Sequence, residues 1–197
     1  MTEADVALTD FALTIECAAC AVALAGGART RSSRAFVALF TLSATATLLG
    51  GIVHGFASRP DHPAYRVLWP ATVLAVIGAA AAMGWSAIAL LGWGSKTRGV
   101  VLLTTIAFSA FVLAGHDDFL VAIAAYAPAS LFLAFAFFTR NVGTGVAGLL
   151  LGLAAGALQQ AKFTPVPSFS HNAFYHLLQM VAFALLFVAA RRIPEER

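Results

Sequence analysis

The amino-acid sequence is divided into seven apolar runs, each about as long as a helix that crosses a lipid bilayer. A hydrocarbon layer of about 30 Å needs about 20 apolar residues of helix, and these Ala- and Leu-rich runs are too long for barrel strands. The chain of 197 residues is 60% apolar and 11% charged, with a mean hydropathy of +0.87, which excludes an ordinary soluble domain. We therefore predict an all-α, multi-pass membrane protein with a single bundle of seven transmembrane helices in one domain, 1–197. The predicted helices cover residues 8–26, 34–56, 67–92, 98–115, 119–138, 142–161 and 171–190.

The distribution of charged residues predicts how the bundle is oriented. Glu3, Asp5 and Asp10 stand where a cleavable signal peptide would be basic, so we expect the first helix to be retained. With the amino terminus outside, nine Lys and Arg residues lie on the inner side and three on the outer side. The positive-inside rule thus places the amino terminus outside and the carboxyl terminus in the cytoplasm, and the formal net charge of +3 needs no nucleic-acid partner. The inner residues are Arg29, Arg31, Arg34, Lys96, Arg98, Arg140, Arg191, Arg192 and Arg197; the outer ones are Arg59, Arg66 and Lys162.

The histidines and most of the acids gather on the predicted outer side. A charged side chain within a membrane span costs about 2.5 to 3.5 kcal/mol on insertion scales. We therefore expect those inside the helices to face one another or a wet cavity. The histidines are His54, His62, His116, His171 and His176, and the acids with them are Glu3, Asp5, Asp10, Glu16, Asp61, Asp117 and Asp118; only Glu195 and Glu196 are predicted to be cytoplasmic.

Imidazoles and carboxylates from different helices at similar depth favour a metal site, because together they can bind one zinc ion. His171 and His176 are about 140° apart on a regular helix, whereas Asn172 and His176 share one face. His176 is therefore the stronger candidate, and His171 can contribute from a loosened first turn if Ser170 is the N-cap. We predict His54 and His176 as ligands, with His171 or Asp10 as the third. Glu16 is predicted as a further ligand or as the general base.

Several of these residues also have ordinary structural interpretations. Asp10 can cap the first helix, and Asp117 or Asp118 can cap the fifth. We predict that Asn172, Asp117, Asp118 and Tyr175 support the site by hydrogen bonding, or that such polar groups simply join helices. Cys17 and Cys20 form a C-x-x-C inside an apolar helix, where small packing residues are the better interpretation.

The segment "SHNAFYHLLQMVAFALLF", together with a histidine at the outer end of helix 2, resembles uncharacterised bacterial seven-helix membrane proteins. More distantly it resembles the superfamily of alkaline ceramidases and adiponectin and progestin receptors. The superfamily resemblance implies a zinc ion held by one helix 2 histidine and two helix 7 histidines, to which His54 and His176 correspond. Asn172 stands where the first helix 7 histidine is expected, Gly50 replaces the helix 2 serine, and helix 3 lacks the expected Asp. Glu16 matches an acid in the first helix of the ceramidases.

The resemblance implies a zinc-dependent hydrolase of the bacterial plasma membrane, acting on a lipid amide or ester at the outer leaflet. Membrane lipids are then the expected partners, and no nucleic acid is expected. Zinc would activate a bound water, and a nearby carboxylate would take its proton. The alternatives are a haem protein that uses His54 and His176, a proton-coupled transporter that uses Glu16 and the histidines, and a structural membrane protein without catalysis.

Overall fold

The described residues form seven α-helices, in agreement with the sequence prediction. The structure is a computed structural model that describes residues 3–27, 30–166 and 169–193. Arg29, Glu195, Glu196 and Arg197, which entered the charge analysis, lie outside the described residues. The helices are α1 (Ala4–Ala25), α2 (Arg31–Phe56), α3 (Tyr65–Leu91), α4 (Ser95–Leu113), α5 (Phe119–Thr139), α6 (Gly143–Gln160) and α7 (His171–Arg192).

Side-chain caps and a glycine account for several of the helix ends. Thr30 accepts a hydrogen bond from the Ser33 N–H and forms a capping box with it at the start of α2. Asp118 caps α5, and Ser170 caps α7. Gly92, with φ 68°, takes the left-handed conformation that ends α3. The connections between successive helices are short, so neighbouring helices run antiparallel.

Six of the helices form a ring, and α4 lies outside it. Contacts run in order between α1 and α2, α2 and α3, α3 and α5, α5 and α6, α6 and α7, and finally α7 and α1. The fourth helix packs mainly on α3, and only 6% of its apolar span is buried, against 33% or more for the other five spans. The ring therefore encloses the interior of the protein, and α4 is peripheral to it.

Six helices are long and apolar enough to cross a membrane, namely all except α6. That helix has 18 residues, and its glycines and the terminal Gln159 and Gln160 lower its mean hydropathy. Its packing between α5 and α7 keeps it within the bundle. The protein is thus a helical bundle with the length and composition of a multi-pass membrane protein.

The two ends of the bundle differ sharply in their ionisable groups. At the end where α1 finishes and α2 begins, the described residues include seven Lys or Arg side chains and no Asp or Glu; we call this the basic end. The opposite end carries all five histidines, and we call it the histidine end. The cations of the basic end are Arg31, Arg34, Lys96, Arg98, Arg140, Arg191 and Arg192.

Candidate functional site

A cavity of about 360 Å³ lies inside the ring, in the half nearer the histidine end. All six helices of the ring contribute to its wall, and α4 does not. Ala157 and Gln160 line it and are also exposed, so the cavity reaches the surface of the bundle at the histidine end of α6. Its volume is within the range of small-molecule sites. The cavity is therefore the natural place to look for the predicted site residues.

Asp10 of α1 and His176 of α7 meet in the wall of this cavity. His176 Nε2 is 3.4 Å from Asp10 Oδ1, slightly beyond hydrogen-bond range. The two residues are only 3% and 9% exposed. Two predicted site residues from opposite ends of the chain are therefore brought into direct contact within the protein interior.

The hydrogen bonds around His176 limit where its protons can be. Its Nδ1 lies 3.0 Å from the Thr9 hydroxyl, which is also within hydrogen-bond distance of the Asp5 and Val6 carbonyl oxygens. If that hydroxyl donates to a carbonyl, Nδ1 must carry the hydrogen. A neutral His176 then presents a lone pair on Nε2 to Asp10, which requires a hydrogen on the carboxyl group. If the hydroxyl donates to Nδ1 instead, a neutral His176 carries its hydrogen on Nε2. In both arrangements the pair holds one hydrogen that Nε2 and Oδ1 would share if the two atoms approached by a few tenths of an ångström from their 3.4 Å separation.

The other oxygen of Asp10 is enclosed by a glycine of α2. Asp10 Oδ2 is buried and has no hydrogen-bond partner among the described residues. A Cβ atom at Gly50 would lie 3.2 Å from this oxygen. Gly50 therefore allows α1 and α2 to approach closely at the level of the pair, and any larger residue there would press on the carboxyl group.

His54 lines the same cavity but is engaged at the surface. Its Nδ1 bonds the Glu3 carboxylate, and the Glu3 N–H donates to the His54 carbonyl at 3.2 Å. Asp5 accepts from the Ser170 N–H at 2.9 Å. The first turn of α1 is thereby fixed to the end of α2 and to the start of α7. These contacts close the bundle around the Asp10–His176 pair.

Amide and phenol groups surround the pair. Gln159 Nε2 donates to Asn172 Oδ1 at 3.0 Å, which joins α6 to α7. Gln179 Nε2 donates to the Tyr175 hydroxyl at 2.9 Å. The hydroxyl hydrogen of Tyr175 remains available to donate to a further group. Asn172 and Tyr175 thus both take part in hydrogen bonds in the cavity wall.

The remaining predicted residues lie away from the pair. Glu16 does not line the cavity, and its Oε2 is buried without a hydrogen-bond partner in the described part of the chain. His171, the first residue of α7, is also absent from the cavity wall. Asp118 caps α5 through the Leu120 N–H, at 2.8 Å, and the Asp117 carbonyl accepts from the Trp69 indole. The ordinary interpretation of this Asp pair therefore agrees with the structure.

Two further outer-side groups are explained by local contacts. Asp61 is paired with Arg59 in the exposed loop between α2 and α3, and this guanidinium lowers the pKa of the Asp61 carboxyl. His116 stacks on Phe111, with ring centroids 4.1 Å apart. Neither residue lines the cavity, whereas the predicted candidates Asp10, His176 and His54 do.

Two features of the site were not identified from the sequence. Thr9 holds the imidazole of His176, although the two residues are 167 positions apart. Gly50 was noted only as a departure from the expected serine. A threonine beside an acid, one turn into an apolar helix, is a weak signal that could have marked the first of these.

Among the described residues, the side chains of the cavity do not supply a full set of zinc ligands. Zinc usually takes at least three protein ligands, and the close contact supplies two, Asp10 and His176. Within 3–27, 30–166 and 169–193, no group of three or more His, Cys, Asp or Glu side chains could hold a metal ion. The predicted zinc ion therefore has no complete set of ligands here, and the chemistry proposed below uses none.

Metal analysis of the purified protein tests this conclusion. Two protein ligands hold zinc too weakly to survive dialysis, so we expect well below one zinc per chain. The His176→Ala variant serves as the control. Stoichiometric zinc in the native chain that falls in this variant would contradict the conclusion and restore the metal site.

Comparisons with known proteins provide a family but no function. Neither the curated proteins nor the solved structures contain a significant match to the chain. None of the comparisons links the chain to the ceramidases or to the adiponectin and progestin receptors. A family model matches residues 6–195, which include both Asp10 and His176. The chain therefore belongs to the family of unknown function DUF6962.

Proposed function

We propose that this protein binds a lipid-like amphiphile in the cavity and hydrolyses an amide or ester bond in it, with Asp10 and His176 as the acid–base pair. The contact between these two buried side chains in the cavity wall is the observation that carries the proposal. A buried carboxyl and imidazole whose nearest atoms are 3.4 Å apart are suited to proton transfer at a reacting group. Ionisable groups among apolar membrane helices are costly to bury and commonly mark a functional site, which supports this role for the pair.

The shape of the cavity supports an amphiphilic substrate. Its outer part is lined by polar groups, including His54, Gln160 and Asn172. Its wall continues to Phe183, seven residues or about 10 Å along α7 beyond His176. If the polar head group of a lipid binds at the histidine end, its acyl chain would extend into the apolar inner part of the cavity. The bond between head and chain would then lie beside the acid–base pair.

The proposed reaction uses a water molecule and the pair. Water attacks the carbonyl carbon and transfers one proton to the pair in its singly protonated form. The Tyr175 hydroxyl, which already accepts from Gln179, can donate to the carbonyl oxygen as negative charge develops there. The C–N or C–O bond then breaks, and the pair returns the proton to the leaving amine or alkoxide. A fatty acid and the free head group are the products.

The packing beyond the cavity favours a closed site over a transport path. Towards the basic end the core consists of tightly packed aromatic and aliphatic side chains. Phe36 stacks on Phe137, with centroids 5.9 Å apart, and Phe40 contacts Phe183 at the same centroid distance. A proton or solute path needs polar groups through this region. The resemblance of the α2 and α7 ends to the ceramidase superfamily also favours a lipid amide or ester.

The proposal is tested by binding and by product formation. We expect mass spectrometry of the purified protein to detect co-purified single-chain lipids. We also expect a panel of lipid amides and esters to yield free fatty acid in proportion to protein concentration. An empty cavity together with no product from any panel member would contradict the proposal.

Filling the cavity at Gly156 should prevent binding without disturbing the fold. A Cβ atom at Gly156 would meet no atom within 4 Å, and the residue lines the cavity. We expect Gly156→Phe to lower lipid binding at least tenfold, because the ring occupies the substrate volume. Ala154→Phe, at an exposed position of the same helix that does not line the cavity, is the matched control. Equal binding by both variants would show that the ligand lies elsewhere.

A further inference from the structure

The cavity beside the Asp10–His176 pair has a definite depth. On three helices of the ring, the lining residues begin near the histidine end and stop about ten residues further in. At 1.5 Å per residue, each of these stretches spans about 15 to 17 Å along its helix. The stretches are His54 back to Ser43 on α2, Trp69 to Ala79 on α3 and Asn172 to Phe183 on α7. The three helices therefore agree on where the cavity ends.

The inner end of the cavity is closed by packed core side chains. About one turn beyond the last lining residue of each helix lies a fully buried residue of the apolar core, namely Phe40 on α2, Met83 on α3 and Leu186 on α7. These three residues do not line the cavity. Phe183 is itself buried, and its ring centroid is 5.9 Å from that of Phe40. The Phe183 ring is thus part of the floor of the cavity.

The acid–base pair divides this depth into two unequal parts. His176 lies about 6 Å inward from Asn172 and about 10 Å outward from Phe183, measured along α7. An extended chain advances by about 1.2 Å per bond, so 10 Å holds a chain of about eight carbons. The acyl chain of an ordinary bilayer lipid reaches across one leaflet, which is about 15 Å of hydrocarbon. Such a chain is too long for the space between the pair and Phe183.

The inner wall suits a hydrocarbon chain. The Thr47 hydroxyl donates to the Ser43 carbonyl at 3.0 Å, and the Gln179 amide donates to the Tyr175 hydroxyl at 2.9 Å. These polar groups are therefore already hydrogen-bonded within the protein, so an apolar chain can lie against them. The apolar lining residues of this part are Leu13, Ala46, Val76, Ala79, Leu153 and Phe183.

We infer that the cavity takes an amphiphile with a medium-length acyl chain, of about eight to ten carbons, and that Phe183 sets this limit. This limit rests on the lipid site of the proposed function and specifies which lipids that site admits. Each methylene group buried in the cavity should strengthen binding about fourfold until the chain reaches the floor. A longer chain must bend or displace the Phe183 ring, so its additional carbons weaken binding.

Binding of uncharged glycerol ethers to the full chain in lipid nanodiscs tests this limit. Octyl, decyl and hexadecyl glycerol ethers have a polar head group and no bond that the proposed reaction can hydrolyse. They compete in equal amounts, and native mass spectrometry compares each bound ether with its amount in the nanodisc. We expect the native protein to favour the two shorter ethers at least about tenfold over the hexadecyl ether.

Phe183→Ala and Phe187→Ala provide the matched comparison. Both remove from α7 a ring that packs near Phe40, but only Phe183 lines the cavity. In Phe183→Ala we expect the preference for the shorter ethers to fall at least about fivefold, because the missing ring deepens the cavity. Phe187→Ala should keep the native preference. Loss of a buried ring is destabilising, so Phe183→Leu, which keeps more of the side chain, is measured as well and should change the preference in the same direction.

The possible failures of the two proposals are distinguishable. Equal binding of all three ethers by the native protein would overturn the limit on chain length and leave hydrolysis at the pair intact. The native preference in folded Phe183→Leu and Phe183→Ala would also overturn it, because the limit would then lie elsewhere. Binding of none of the ethers would overturn the lipid site together with this limit. The expected pattern would support the limit even if no lipid were hydrolysed.

Discussion

Asp10→Asn should reduce the release of fatty acid at least 100-fold while leaving the protein folded. Asn has the shape of Asp and fits beside Gly50, but it cannot accept the proton that the reaction transfers. General acid–base catalysis typically contributes 100- to 10,000-fold, so loss of the carboxyl should remove most of the rate. The rate is measured as product formation by the purified variant under the conditions that the native protein requires.

Glu16→Gln is the matched control for this experiment. Both substitutions remove one carboxyl group from α1, but Glu16 does not line the cavity. We expect its variant to retain at least half of the native rate. The opposite pattern, with activity lost in Glu16→Gln and kept in Asp10→Asn, would assign the chemistry to the deeper acid and contradict the proposed site.

The shared hydrogen can also be observed without a substrate. Infrared difference spectra recorded across a pH titration should contain a signal from the carboxyl group of Asp10. We expect that signal to disappear in Asp10→Asn and to shift in His176→Gln, because the histidine is its partner. An unchanged spectrum in His176→Gln would mean that the two side chains titrate independently. This measurement separates a failure of the pair from a failure to find the right substrate.

The helices could be predicted closely because each membrane-spanning helix requires a run of about 20 apolar residues, which is visible in the local sequence. The bounds of α2, α5 and α7 lie within a few residues of the predicted ones. The start of α1 was placed at residue 8, but the helix begins at Ala4 and includes Asp5 in its first turn. Asp5 in fact accepts from Ser170, and Thr9 bonds its own helix and His176. The earlier start places Asp10 in the second turn, so it does not cap the helix.

The contents of the site were only partly predictable, because they depend on how each helix is rotated about its axis. Helix geometry alone separates Asp10 from Glu16 by about 120°, so the two acids do not share one face of the helix. The contact between Asp10 and His176, by contrast, is set by the packing of α1 against α7. That packing depends on contacts between residues far apart in the sequence, including the space that Gly50 leaves beside Asp10. Local sequence patterns do not reveal such contacts.

The contact between α6 and α7 depends on glycine, and Gly148→Ala should destabilise the protein by about 2 to 3 kcal/mol. A Cβ atom at Gly148 would lie 2.8 Å from the Ala182 carbonyl oxygen and 3.0 Å from the Leu185 Cβ. The nearest atom belongs to the backbone of α7, so no side-chain rotation can relieve the clash. The helices must separate, and close packing through small residues is a main source of stability in membrane bundles.

Gly156→Ala, the same substitution two turns further along α6, should have the opposite sign. Its Cβ atom would meet nothing within 4 Å, and alanine favours a helix over glycine by up to about 1 kcal/mol. Unfolding of the two variants in mixed detergent micelles, followed by circular dichroism, gives both free energies on one scale. Separation of α6 from α7 should also weaken the Gln159–Asn172 bond beside the cavity. Gly148→Ala should therefore lose lipid binding as well as stability, whereas equal stability of the two variants would show that α6 and α7 do not pack as closely as the structure indicates.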